Sequence, residues 1–310
     1  MKKILATILA LVMALSLCTS AWATGEAGTG EGTGAAAGAA GNEQTGSAGS
    51  GENGTEGGGT GSEENGGQAT TYVAQIGETG YKTLQAAIDA AGSGKTVTLL
   101  ADTKENVTIN NAMTLDLNGH TLNGGTVAGK PALTVTARVT VKDSSAEKTG
   151  TIMREDTAEN SGVSSHYVID VQGGGWLTFE SGTVKNNSGN AAGKGASLVR
   201  VGDDSVAKYP GLNIKGGTFA QDNFVVIKIY RGDLFLNGGT LNSTNSYAIE
   251  DWHRATIKGG TVNGTVAAWT YSGGLNSDLT ISGGTVNGDV TSVNYGNAED
   301  KVAKVSITGG

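Results

Sequence analysis

A phrase of eight residues returns six times in the second half of this chain: apolar, any, apolar, any, Gly or Ser, Gly, then usually Thr and another apolar residue. It occupies 177–184, 212–219, 234–241, 255–262 and 279–286, with a last, shorter occurrence at 305–310. The threonines at 183, 218, 240, 261 and 285 are separated by 35, 22, 21 and 24 residues. A period in the twenties is the length of one supersecondary unit in a stacked solenoid, so the repeat constrains the fold more than any local propensity does.

Within a phrase the apolar residues alternate with polar ones, as in Leu279-Thr280-Ile281-Ser282, which is strand periodicity. Gly-Gly marks a sharp bend, and Thr followed by Val, Phe or Leu restarts an extended segment. A second apolar run follows in most repeats, at 167–171, 198–201, 224–230, 265–269 and 290–293. Two or three short strands per twenty-odd residues, with no helix long enough for a parallel crossover, predict an all-β parallel β-helix. Each coil would climb by one strand spacing, roughly 4.8 Å, so about nine coils would make a rod on the order of 40 Å long. The same grammar extends backwards through Leu115-Asp116-Leu117-Asn118-Gly119-His120-Thr121-Leu122 and Gly150-Thr151-Ile152, with spacings of 30 and 32 residues that imply longer loops. Such loops are where a solenoid usually carries function.

Residues 1–23 read as an export signal: Lys2 and Lys3, an apolar stretch from Ile4 to Leu17, and Ala21-Trp22-Ala23 as a cleavage site. The stretch is short for a membrane span, and no stop-transfer flank follows it. The one cysteine, Cys18, lies inside it, with Leu17 a poor fit to a lipid-anchor motif, so the mature chain is expected to have no disulfide. Residues 24–70 hold 17 Gly and 7 Glu in 47 positions, with no Lys or Arg and no large apolar residue, the composition of a disordered, self-repelling linker. Without Lys2 and Lys3 the net charge goes from −8 to −10; the linker glutamates carry −7 of that, leaving −3 for residues 71–310. A near-neutral solenoid has no electrostatic footprint for nucleic acid.

Over residues 83–91 the pattern turns helical. Leu84, Ala87, Ile88 and Ala91 share a face, Thr83 is the N-cap and Gly92 the expected stop. An amphipathic helix placed before the first coil would cover the open end of the core. Gly92-Ser93-Gly94-Lys95-Thr96 imitates a phosphate loop, but Asp89 stands where its first Gly belongs, and helix precedes strand instead of following it.

The run Thr83-Leu84-Gln85-Ala86-Ala87-Ile88-Asp89-Ala90-Ala91, then Gly94 and Val97-Thr98-Leu99, then Leu115-Asp116-Leu117-Asn118-Gly119, resembles the opening of pectate-lyase-like right-handed β-helix proteins. It is most similar to their surface-protein branch in gut Firmicutes. The resemblance covers residues 73–310 and implies the right-handed sense of the coil. That superfamily holds polysaccharide lyases, polygalacturonases, pectin esterases and many adhesins, so it leaves activity open.

The candidate binding residues are aromatic. Tyr230 and Trp252 each follow the Thr of their coil by 12 residues, and Tyr271 and Tyr295 follow theirs by 10, which predicts one row of rings along an edge. Flat rings stack against sugar faces while polar neighbours fix hydroxyls; here the neighbours are Arg231, Asp233, Glu250, Asp251, His253 and Arg254. The alternative is that the rings stack on one another and stiffen the edge. Arg231-Gly232-Asp233 is also the tripeptide that integrins read, although Gly and Asp at a bend are expected without that role.

For catalysis the densest polar clusters are Asp203-Asp204 and 250–254, with Asp251, His253 and Arg254 the best available set. Adjacent acids on a strand point to opposite faces, which argues against Asp203 with Asp204. His120, His166 and His253 are too dispersed for a zinc site, and no calcium-binding nonapeptide occurs, so neither metal nor cofactor is expected. Two functional readings follow: an exported, cell-surface or extracellular module that binds extracellular or cell-wall polysaccharide or acts as a spacer, and a polysaccharide lyase or glycoside hydrolase of the same architecture. The sequence stops inside a repeat phrase, at Ser306-Ile307-Thr308-Gly309-Gly310, which raises the expectation of further C-terminal domains.

Overall fold

The computed structural model describes residues 71–127, 129–155, 167–187, 197–203, 208–222, 224–296 and 298–310. The export segment and the Gly/Glu-rich linker lie outside the described residues, as do His166 and Asp204.

The chain from residue 71 onward is a parallel β-helix. Its first face is a ladder of nine parallel strands: Thr96–Leu99, Met113–Asp116, Arg138–Lys142, Trp176–Phe179, Gly211–Ile214, Asp233–Leu236, Arg254–Ile257, Ser277–Ser282 and Ala303–Gly309. Among the described residues these nine strands match the roughly nine coils that the repeat predicts. After the glycine bend the chain enters a second face, where Thr121, Thr151, Thr183, Thr218, Thr240, Thr261 and Thr285 are register partners in consecutive coils. A third face carries Val107–Ile109, Leu133–Val135, Ile169–Val171, Val199–Val201 and Ile227–Ile229, then the later halves of Thr240–Asp251 and Thr261–Tyr271, and Val290–Tyr295.

The alternation read in the phrase sends one set of side chains inward, and register turns that set into columns. Met113, Val139, Leu177, Leu212, Leu234, Ala255 and Leu279 form one column, and Leu122, Ile152, Val184, Phe219, Leu241 and Val262 another, each residue at most 4 % exposed. Phe179 and Phe219 meet edge to face inside, their centroids 4.8 Å apart. Burial of this order is the main favourable term in a chain without disulfides. Side-chain ladders add to it. Asn263 donates from Nδ2 to Asn242 Oδ1 at 2.7 Å, and Asn287 donates to Asn263 Oδ1 at 2.8 Å.

The glycine pair is required twice over. In Gly238-Gly239 the second residue has φ +80°, in the left-handed region, while a Cβ on the first would lie 2.3 Å from the Lys215 carbonyl oxygen of the preceding coil. Where His120 holds the second Gly position, the positive φ values move upstream to Asn118 and Gly119, and the bend closes one residue earlier.

Helix α1, Leu84–Ala90, covers the first coil with Leu84, Ala87 and Ile88. Thr83 Oγ1 accepts from Ala86 N as expected, and the Glu105 carboxylate accepts from the Leu84 and Gln85 N–H groups at 2.8 and 3.1 Å. Gly92 is not the stop. The chain leaves the helix through Ala91 in an extended conformation, its N–H on the Ile88 carbonyl, and the first left-handed residue is Gly94. An unforeseen hairpin, Ala74–Ile76 with Thr79–Tyr81, pairs antiparallel with Thr96–Leu99 and occupies the edge of the first face. No helix among the described residues is long and apolar enough to cross a membrane.

Candidate functional site on the third face

The outward residue in the middle of each third-face strand makes a row along the coil axis: Thr108, Thr134, Asp170, Arg200, Lys228, Glu250, Ala267 and Thr291. The four charged members are poorly exposed and pair in twos. Arg200 donates to both Asp170 oxygens, at 2.9 and 2.6 Å, and Lys228 Nζ lies 3.6 Å from Glu250 Oε1. Aromatic rings flank the two cations. The Arg200 guanidinium sits 4.5 Å from the Tyr167 centroid, and Lys228 Nζ 4.5 Å from that of Tyr230 and 5.3 Å from that of Trp252.

Burial pulls the Lys228 ammonium down, but Glu250, Tyr230 and Tyr167 push its pKa above the ordinary lysine value. The Tyr167 hydroxyl is pushed up to about 12, by burial first and then by Tyr230. Both residues therefore hold their protons throughout the neutral range.

Two residues further along each strand the aromatic set appears, with a change from the expected row. Tyr230 and Trp252 are neighbours in consecutive coils, centroids 6.4 Å apart and planes at 19°. Next in the row is Trp269, 5.3 Å from Trp252 and at 21°. Tyr271 instead opens a second row, meeting Trp252 edge on at 5.1 Å and pairing in register with Tyr295. Counting from the repeat Thr missed this because residues 243–246 bulge from the strand Thr240–Asp251 where the next coil passes with Gly264 alone, and Ala248 is a further extra residue between the pairs Tyr247–Thr265 and Ile249–Val266. Trp269, Lys228, Arg200 and Asp170 escaped the sequence reading, although the apolar–charged–apolar triplets 169–171, 199–201 and 227–229 carry a signal for three of them.

The remaining candidates divide between the inside and the outside of the coil. Asp251 belongs to the inward column of Ile109, Val135, Val171, Val201, Ile229 and Ala268, and is 0 % exposed. Its Oδ2 faces Ser277 Oγ at 2.9 Å, and its Oδ1 accepts the His253 backbone N–H at 3.0 Å. Burial pushes its pKa up to about 6 against those hydrogen bonds. His253 and Arg254 gather instead around Asp233. Arg254 donates to both carboxylate oxygens at 2.6 and 2.9 Å, while His253 Nδ1 lies 2.8 Å from the Gly232 carbonyl oxygen with its ring stacked on Tyr209 at 4.5 Å.

Asp251, His253 and Arg254 thus do not converge on one point, because the strand ends at Asp251 and the chain bends at 252–253 before Arg254 opens the next first-face strand. The Asp233 carboxylate is already held by Arg254, so Arg231-Gly232-Asp233 forms a bend instead of presenting a free acid. Glu250 is shared between Lys228 and the Trp252 indole N–H, which donates to it at 2.9 Å. Among the described residues no group of three or more His, Cys, Asp or Glu could hold a metal ion.

No family model, no curated protein and no solved structure matches this chain.

Proposed function

We propose that this coil stack is an exported, extracellular or cell-surface module that binds polysaccharide along the outer edge of its third face. The observation carrying the proposal is the in-register pair Tyr271 and Tyr295, one strand spacing apart beside half-buried Trp252, with Tyr295 42 % exposed. Tyr230, Trp252 and Trp269 stack on one another and form a braced floor, with Lys228 Nζ against the Tyr230 and Trp252 rings and Glu250 accepting from the Trp252 indole N–H. The two tyrosines then offer ring surface at a rigid spacing, the kind of surface against which the apolar face of a sugar packs.

Binding is favoured over cleavage at this edge, since the Asp251 carboxylate lies in an aliphatic column and Asp233 is bidentate with Arg254. Export rests on the character of residues 1–23, and the surface-protein assignment on the coil grammar that resembles pectate-lyase-like proteins. The test is retention of the purified chain on insoluble cell-wall polysaccharide. The Tyr271→Ala/Tyr295→Ala variant is expected to lose at least tenfold in retention with its unfolding midpoint preserved; unchanged retention refutes the reading.

A further inference from the structure

The bulge at 243–246 has a second consequence. One coil carries four residues at the corner between the second and third faces, and the following coils pass there with Gly264 and with Gly288-Asp289. Under the overhang lies an open groove of about 520 Å³, within the size range of small-molecule sites. Its floor depends on glycine: a Cβ on Gly288 would lie 2.4 Å from the Gly264 carbonyl oxygen.

The lining is mostly polar. Thr265 and Thr291 bring hydroxyls, Asn245 an amide, Asp289 a carboxylate and Tyr247 a ring. Tyr247 is pinned edge to face on Trp269 at 5.6 Å and 84°, so the ring is part of a rigid wall. Among the described residues no Lys or Arg lines the groove.

We propose that this groove is a binding site for a neutral sugar unit, separate from the tyrosine strip and standing without it. A pyranose both donates and accepts hydrogen bonds around its rim and has an apolar face for Tyr247. A uronate or sulfated sugar would meet Asp289 with no cation to answer its charge.

The experiment is saturation-transfer NMR and calorimetry on the chain with xylohexaose, cellohexaose and mannohexaose, and with trigalacturonate as the anionic probe. At least one neutral oligosaccharide is expected to bind, and trigalacturonate to bind at least tenfold more weakly. Asp289→Ala, at an exposed site, should weaken the neutral sugar about tenfold. Thr291→Val, which removes one lining hydroxyl without changing shape, should weaken it with the unfolding midpoint preserved. Tyr271→Ala/Tyr295→Ala should leave oligosaccharide binding within about threefold. Absence of any neutral binding at millimolar concentration, preference for trigalacturonate, or full binding by both groove variants overturns the groove. Loss of polymer retention in the tyrosine-strip variant with oligosaccharide binding intact separates the two sites, and retention that persists there counts against the strip alone.

Discussion

Lys228 Nζ stands 3.6 Å from Glu250 Oε1 in the next coil, and both side chains are at most 15 % exposed although they point away from the core. Removing one member of a poorly solvated pair strands the other charge, which costs about 3–5 kcal/mol, whereas removing both costs far less. Lys228→Met is therefore expected to lower stability by about 3 kcal/mol, and Lys228→Met/Glu250→Gln to recover most of it. Denaturant unfolding of the two variants checks this, and equal losses would show that the pair is not coupled.

Asp251 gives the fold a pH dependence of definite sign. Its folded pKa, about 6, lies above the ordinary carboxylate value of 3.8 that it regains on unfolding. The folded state therefore holds the proton more tightly, and its advantage is complete below pH 3.8 and lost as pH rises through about 6. Below that point the protonated acid can donate to Ser277 Oγ while Ser277 donates to the Asp251 carbonyl, 2.8 Å away. Two pKa units correspond to about 3 kcal/mol. Asp251→Asn should flatten stability between pH 4 and 7 and raise it at pH 8, as followed by thermal unfolding across that range.

Asp143 contributes with the opposite sign. Burial raises its pKa, but hydrogen bonds from the Ser145 side chain and from the backbone N–H groups of Gly150, Ser145 and Gly119 outweigh burial and hold it below the ordinary value. Its stabilisation is present above the unfolded pKa and is lost as pH falls through the folded one. Asp143→Ala leaves those N–H groups without an acceptor at the root of the inserted loop 143–150 and should cost about 3 kcal/mol at pH 7. The deficit should shrink below pH 3, which urea titrations at both pH values would measure.

Glycines separate by what surrounds them. Gly238→Ala sets a Cβ 2.3 Å from a backbone oxygen and should cost more than 2 kcal/mol, while Gly273→Ala, with φ +82° and open space around it, should cost about 1 kcal/mol. Gly92→Ala, with neither a positive φ nor a neighbour within 4 Å, should stabilise by about 0.5 kcal/mol. A loss at Gly92 equal to that at Gly238 would contradict the packing described for the coil.

The repeat made the first two faces legible because each register there is pinned by one local signal, the glycine bend followed by Thr. From Thr121 to Thr285 the phrase position and the structural register coincide. The third face lies beyond loops of unequal length, so the distance from Thr no longer measures register. Trp252 was aligned with Tyr271 by count, but Trp269 is its partner in space.

Alternating apolar residues and a glycine pair at near-constant intervals determined by themselves that this chain coils, about how many coils it makes and which residues of its first two faces line the interior, because strand alternation and bend geometry are local properties. Tertiary structure alone decided that Asp251 enters an aliphatic column while Glu250, one residue earlier, pairs with Lys228 outside, that Asp233 is held by Arg254, and that a four-residue bulge opens a groove. Those outcomes depend on which residue of the next coil lies opposite, and loop length sets that across twenty or more residues of chain.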